Sequence, residues 1–178
     1  ALEEIFASFD ETPIAAASIG QVHRATDHRG RELAVKVQRP RIETLIAHDL
    51  DLLEAFVEGA RTSLPPTDWD TVVPEVRAMV EAEVDYGREL ATMKRLGSFL
   101  DRFDGVHAPR PVEELSTPRV LCASFEGGRR LTDVLDELSA AGEDERVASI
   151  LGRMLEAYVA QILEAGIFQA DPHPGNFL

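Results

Sequence analysis

Between residues 13 and 40 apolar and polar positions alternate with the two-residue period of strands. PIAAASIG reads as an extended segment leading into QVHRATD, HRG as a turn with Gly30 at its corner, and RELAVKVQRP as a second strand with Leu33, Val35 and Val37 on one face. Lys36 therefore faces the other way, beside Ala34 and Gln38. Over residues 41–60 the period becomes helical (Ile42, Leu45, Ile46, Leu50, Leu53), and the prolines of SLPPTDW close that helix. A long helix is predicted from near Asp70 towards Phe103. After Gly105, HAPRPVEELS and PRVLCASFEGG predict two short strands, and Gly127 with Gly128 marks a break. Helices follow over residues 131–138 and 144–165; in the second, Val147, Ile150, Leu151, Met154, Leu155, Tyr158, Val159, Ile162 and Leu163 form an apolar stripe that Gly166 is placed to cap. The last ten residues, QADPHPGNFL, carry two prolines and a glycine, which makes a stiff, side-chain-aiming loop or an ordinary surface turn.

Composition narrows this picture. The chain has 178 residues, 44% of them apolar, which is enough for a sizeable core. A formal charge of -14, from 18 basic and 32 acidic residues, argues against a broad nucleic-acid surface. The single cysteine, Cys122, lies in the apolar run VLCAS and is expected to be a buried thiol. No apolar run approaches the roughly 20 residues that cross a bilayer, so the chain is expected to be soluble, and its first and last residues predict a piece of a longer protein.

Candidate chemistry comes from three local patterns. A-A-A-S-I-G-Q-V at 15–22 keeps the register of the kinase glycine-rich loop, with Ala15 and Ala17 at the first two glycine positions and Gly20 at the third. Small residues there let a backbone approach phosphates, although alanine resists positive φ; by itself the run is equally a small-residue packing patch. L-A-V-K at 33–36 matches the strand motif whose alanine flanks adenine and whose lysine reaches phosphates, although a lone strand lysine ordinarily points to solvent. Asp171 and Asn176 reproduce the five-residue interval of the kinase catalytic loop, in which the aspartate acts on the attacking hydroxyl and the asparagine holds magnesium. The order of the three patterns along the chain is that of a kinase. A carboxylate for Lys36 should then lie on the helix from Asp70. Glu83 falls in phase with Val76, Val80 and Leu90, and Glu89 with Met93, Leu96 and Leu100; each carboxylate is a candidate for that role or for a wet helix margin.

The segments PIAAASIGQVHRA (13–25), LAVKVQRP (33–40), EVDYGRE (83–89), RVL (119–121) and DPHPGN (171–176) together resemble the UbiB/ADCK (AarF-domain) atypical kinase family over essentially the whole chain. The resemblance implies an α+β, protein-kinase-like fold: a small antiparallel sheet with long helices over residues 1–126, then the beginning of a helical C-lobe over 127–178. It implies ATP and magnesium as cofactors, a role in isoprenoid-quinone or lipid metabolism, lipid or quinone-biosynthesis proteins as partners, and a cytoplasmic, membrane-associated full-length protein. For the site it implies Lys36, Glu89 and Asp171 as catalytic residues, with Glu89 the partner of Lys36, Asn176 as a metal ligand, and Ala15, Ala16, Ala17, Ser18, Gly20, Val22, Ala34, Lys36 and Glu83 around the nucleotide, with Glu83 and Asp85 forming an E-x-D motif. Gln169 stands where the family usually carries histidine, and Ser124 where the hinge usually carries glutamate. The D-F-G-type aspartate is expected downstream, and without it this stretch should be catalytically impaired. A non-catalytic nucleotide-sensing or scaffolding module, or an acidic helical interaction domain, remains the alternative.

Overall fold

The structure is a computed structural model that describes residues 2–167 and 177–178. A five-stranded antiparallel sheet occupies the first part of the chain. Its strands are β1 (Phe6–Phe9), β2 (Ala15–Ala16), β3 (Gly20–Asp27), β4 (Glu32–Gln38) and β5 (Val120–Ser124). They run in the order β1-β3-β4-β5, with β2 also paired to β3. A four-residue helix, α1 (Leu2–Ile5), leads into β1. Alternation along β4 does what its sequence asks: Leu33 and Val35 are 1% and 2% exposed and pack with Phe6, Ala25, Val112 and Cys122, while Ala34 and Lys36 face the opposite side. Cys122 is buried and free, and burial pushes its thiol up to about 11, so it behaves as a small apolar residue.

The helices are α2 (Ile42–Ala60), α3 (Trp69–Glu83), α4 (Tyr86–Leu100), α5 (Leu131–Ala140) and α6 (Asp144–Ala160). One correction concerns the long helix expected from Asp70: it is two helices, interrupted at Val84 and Asp85. Asp85 adopts an extended conformation and its carboxylate accepts from the amides of Gly87 and Arg88, so it caps α4 and cannot continue α3. A second concerns HAPRPVEELS, which forms no strand. Pro111 makes an isolated bridge to Ala123, and Glu113–Leu115 is a short 3-10 turn, because two prolines remove amide donors from the stretch. The helix expected over residues 144–165 is α-helical only to Ala160; Gln161–Ala165 widens into a π turn, which Gly166 ends with a φ of 61°. Leu155 and Leu163 on this element are 64% and 76% exposed, so its apolar stripe is only partly covered by the described residues. Strand β1 had no counterpart in the sequence reading, because a four-residue strand beside a short helix carries too few periods to detect.

Candidate functional site

The face of the sheet opposite the main core gathers the side chains that matter. Lys36 stands in the middle of β4, directly opposite Val22 on one side and Leu121 on the other; Ala34, two residues away, pairs with Ala123. The Lys36 ammonium donates to both oxygens of Glu89, at 2.9 and 2.8 Å. Their side chains are 30% and 38% exposed, so the pair sits at the edge of solvent. Glu89 belongs to the first turn of α4, where the helix dipole favours a carboxylate and where the Asp85 cap fixes the backbone. The break between α3 and α4 therefore sets the lysine's partner. A helix that ran on unbroken would turn Glu89 to another bearing.

Two hydrogen bonds fasten that break, one to β4 and one to the turn before β5, and a third ties those two anchors together. The Gln38 side-chain amide donates to the carbonyl of Val84 and, at 3.4 Å, to that of Pro118, and the Tyr86 amide donates to Pro118 at 3.3 Å. Tyr86, the first residue of α4, is fully buried. Its ring lies beneath Lys36, whose ammonium is 4.6 Å from the ring centroid, within cation–π range. Burial, with the negative fields of Glu89 and then Glu83 added, pushes the phenol up to about 12, so it stays protonated. Its hydroxyl has no hydrogen-bond partner among the described residues.

The alanine-rich run folds as a hairpin. Ala15 and Ala16 pair with Val22 and Gln21, the amide of Ala17 donates to Gly20 at 2.8 Å, and Ser18 and Ile19 form the tip. Arg39 reaches across: its guanidinium donates to the Ala17 carbonyl at 3.2 and 3.3 Å, and its amide to Ile19 at 2.9 Å. Among the described residues positive φ is confined to Arg41, Gly30, Gly105, Gly142 and Gly166, so no position of this loop needs glycine for its backbone angles. Alanine's aversion to positive φ, the difficulty raised by the sequence, does not arise. Gly20 answers to space: a Cβ there would lie 2.7 Å from the Tyr86 hydroxyl and 2.7 Å from the Val37 carbonyl.

The structure thus brings Lys36, Glu89, Val22, Ala34 and Gly20 to one side of the sheet, with Ala15, Ala16, Ala17 and Ser18 in the hairpin at its end. Glu83, the other candidate carboxylate, is the last residue of α3 and is exposed; the partner of Lys36 is Glu89. Asp171, Asn176 and Gln169 lie outside the described residues. The sequence reading gave no role to Tyr86 or Gln38. Gln38 shares the strand face of Lys36, and Tyr86 sits between Glu83 and Glu89, but neither position shows what it touches until α3 and α4 separate. A cavity of about 320 Å³ lies between Gly105, Val106, His107, Pro109, Glu126, Leu131, α6 and the final pair Phe177 and Leu178, and none of the described site residues lines it. Among the described residues no cluster of three or more histidine, cysteine, aspartate or glutamate side chains could hold a metal. The ammonium and the apolar positions Val22 and Ala34 suit a nucleotide, whereas the magnesium ligand expected from the sequence falls on Asn176.

A family model of the ABC1 atypical kinase-like domain matches residues 1–178. The chain belongs to that family. Similar proteins include the Arabidopsis thaliana chloroplastic protein Activity of BC1 complex kinase 7, 38% identical over 97% of this chain and 25% of that protein. The AarF domain-containing protein kinase 1 of Mus musculus is 33% identical over 99% of this chain and 33% of its own length. The probable protein kinase UbiB of Xylella fastidiosa is 34% identical over 98% of this chain and 32% of its own length. The solved complex of Rv3197 with erythromycin from Mycobacterium tuberculosis superposes with a TM-score of 0.80 at 30% identity, over 99% of this chain and 44% of that one. The ABC1-like chain therefore spans a quarter to a third of these three curated relatives and has the kinase-like fold, with its small antiparallel sheet and several helices. Among its described residues no helix is long and apolar enough to cross a membrane.

Proposed function

We propose that this ABC1-family chain forms the nucleotide cleft of an ATP-dependent phosphotransferase or ATPase. The observation that carries the reading is the Lys36–Glu89 pair, held at 2.8–2.9 Å on the sheet face that Lys36 shares with Ala34. A lysine so oriented by a carboxylate suits the α and β phosphates of ATP, with Val22 and Ala34 against the base and the hairpin of Ala15, Ala16, Ala17, Ser18 and Gly20 above the phosphates. Asp171 acts as the base towards the acceptor hydroxyl, and Asn176 is the magnesium ligand; bound magnesium neutralises phosphate charge. Likeness to a protein named UbiB supports a role in ubiquinone-type metabolism, and the same reading gives the full-length protein a membrane association and lipid or quinone-biosynthesis partners.

The test is calorimetric titration of the full-length protein with magnesium ATP, followed by Lys36→Ala and Asp171→Asn. The reading expects Lys36→Ala to weaken binding at least tenfold, and Asp171→Asn to abolish turnover while leaving binding in place. Binding indifferent to Lys36→Ala would overturn it. A non-catalytic nucleotide-sensing or scaffolding role is the second reading, supported by the alanine hairpin that Arg39 ties shut at Ala17. Turnover that is absent from the start, with binding intact, would favour it.

A further inference from the structure

We propose that Tyr86 is a positioning residue that couples the height of the alanine-rich hairpin to the place of the Lys36 ammonium. Two contacts on one side chain carry this. The face of the ring supports Lys36 at 4.6 Å, and the hydroxyl occupies the space that Gly20 leaves by having no side chain, 2.7 Å from where a Cβ would stand. The ring itself has little freedom: Tyr86 is fully buried, its amide is bonded to Pro118, and it opens a helix capped by Asp85. A shift of the hairpin at Gly20 therefore meets a stiff body whose other surface holds the lysine. The hydroxyl adds no stability through hydrogen bonding, since it has no partner among the described residues, and a buried donor without one is unfavourable. What it does contribute is bulk at the contact with Gly20.

The coupling is separable from nucleotide binding, although its consequence for affinity rests on the reading proposed above. In the full-length protein carrying 13C-labelled lysine, the Cε protons of Lys36, assigned by their loss in Lys36→Arg, are expected upfield of the other lysines because the ammonium they adjoin lies over a ring. Tyr86→Phe should keep that shift and Tyr86→Leu should abolish it. Gly20→Ala should move the Lys36 resonance in the parent protein and move it less in the Tyr86→Phe background, where the hydroxyl contact is gone and only the Val37 carbonyl remains close. Affinity for magnesium ATP should fall about tenfold in Tyr86→Leu and recover most of the way in Tyr86→Phe. An ordinary Lys36 shift in the parent protein would overturn the proposal, as would an equal response to Gly20→Ala in both backgrounds. Should Tyr86→Leu not fold, those two measurements still decide. Should no nucleotide bind at all, the proposed function falls while the resonance shifts continue to test the coupling.

Discussion

The hairpin of β3 and β4 is built differently at its two ends. At the turn the bonds that fix the backbone are local. Asp27 is 4% exposed, and its carboxylate accepts from the amides of Arg29 and Arg31 at 2.9 and 2.8 Å and from the Arg31 guanidinium at 2.6 Å. Arg31 continues to Glu114 at 2.9 Å. Burial pushes the Asp27 carboxyl up, but the two amides and the guanidinium together outweigh it and hold the group below its usual range. At the open end nothing is local: Gly20, Lys36 and Gln38 find Tyr86, Glu89, Val84 and Pro118, which lie far along the chain. There the ion pair is a third exposed and has a ring beneath it. A buried carboxylate saturated with donors fixes a turn; a half-open pair with an exposed edge keeps room for a ligand.

The two glycines sharpen the contrast. Gly30 has a φ of 80° and nothing within 4 Å of a would-be Cβ, so it is there for its backbone angle. Gly20 has ordinary angles and no room.

Four measurements would break or sharpen this comparison. The largest effect is expected from Lys36→Ala, which should weaken magnesium ATP binding at least tenfold while unfolding free energy changes by only about 1 kcal/mol or less, as for a partly exposed pair. A large loss of stability with binding intact would make the open end structural, like the turn. Next, Gly20→Ala should cost about 1–3 kcal/mol in denaturant unfolding, because the Val37 carbonyl and the buried Tyr86 hydroxyl both crowd the new methyl group. Gly30→Ala should cost about 1 kcal/mol, with Gly30→Asn milder, since only the left-handed conformation resists there. The last measurement reads the acid limb of unfolding, where Asp27 sets the slope. Its folded value lies below the ordinary aspartate value of about 3.8, so the unfolded chain takes up the proton first. Its contribution is complete above that value and is lost as pH falls through it towards the folded value. Acid unfolding of Asp27→Asn should therefore show a shallower acid limb than the parent protein; an unchanged limb would remove the turn carboxylate from the account.

Much of this was legible before any coordinates. The two-residue period around Leu33, Val35 and Val37 located the hairpin and turned Lys36 away from the core, because a strand's side chains have only two directions to take. Gly30 at the turn, Cys122 in the core and Gly166 at the end of the last helical element followed from residue chemistry of equal simplicity. The break at Val84 and Asp85 did not. No proline stands there, Gly87 falls inside the first turn of α4, and Asp85 is recognisable as a cap only when the amides of Gly87 and Arg88 are seen to point at it. With the break unread, helical phase left Glu83 and Glu89 equivalent, only the family resemblance singled out Glu89, and Tyr86 and Gln38 had no visible task. HAPRPVEELS misled for a related reason: short apolar runs bounded by proline carry too little periodicity to separate strand from turn.

What the sequence determined by itself was therefore periodic or conformational: which elements form, which face of β4 carries the lysine, where the turn must be. Such properties depend on neighbours a few residues apart, and their physical cause travels with the local chain. Tertiary structure decided what periodicity left open, that Glu89 and not Glu83 meets Lys36, as the family resemblance implied; it alone decided that Gly20 is small because Tyr86 lies against it, and that Gln38 holds Val84. Those outcomes depend on the relative bearing of elements 46 to 66 residues apart, and an angle between two packed bodies is set by the packing, not by the chain between them.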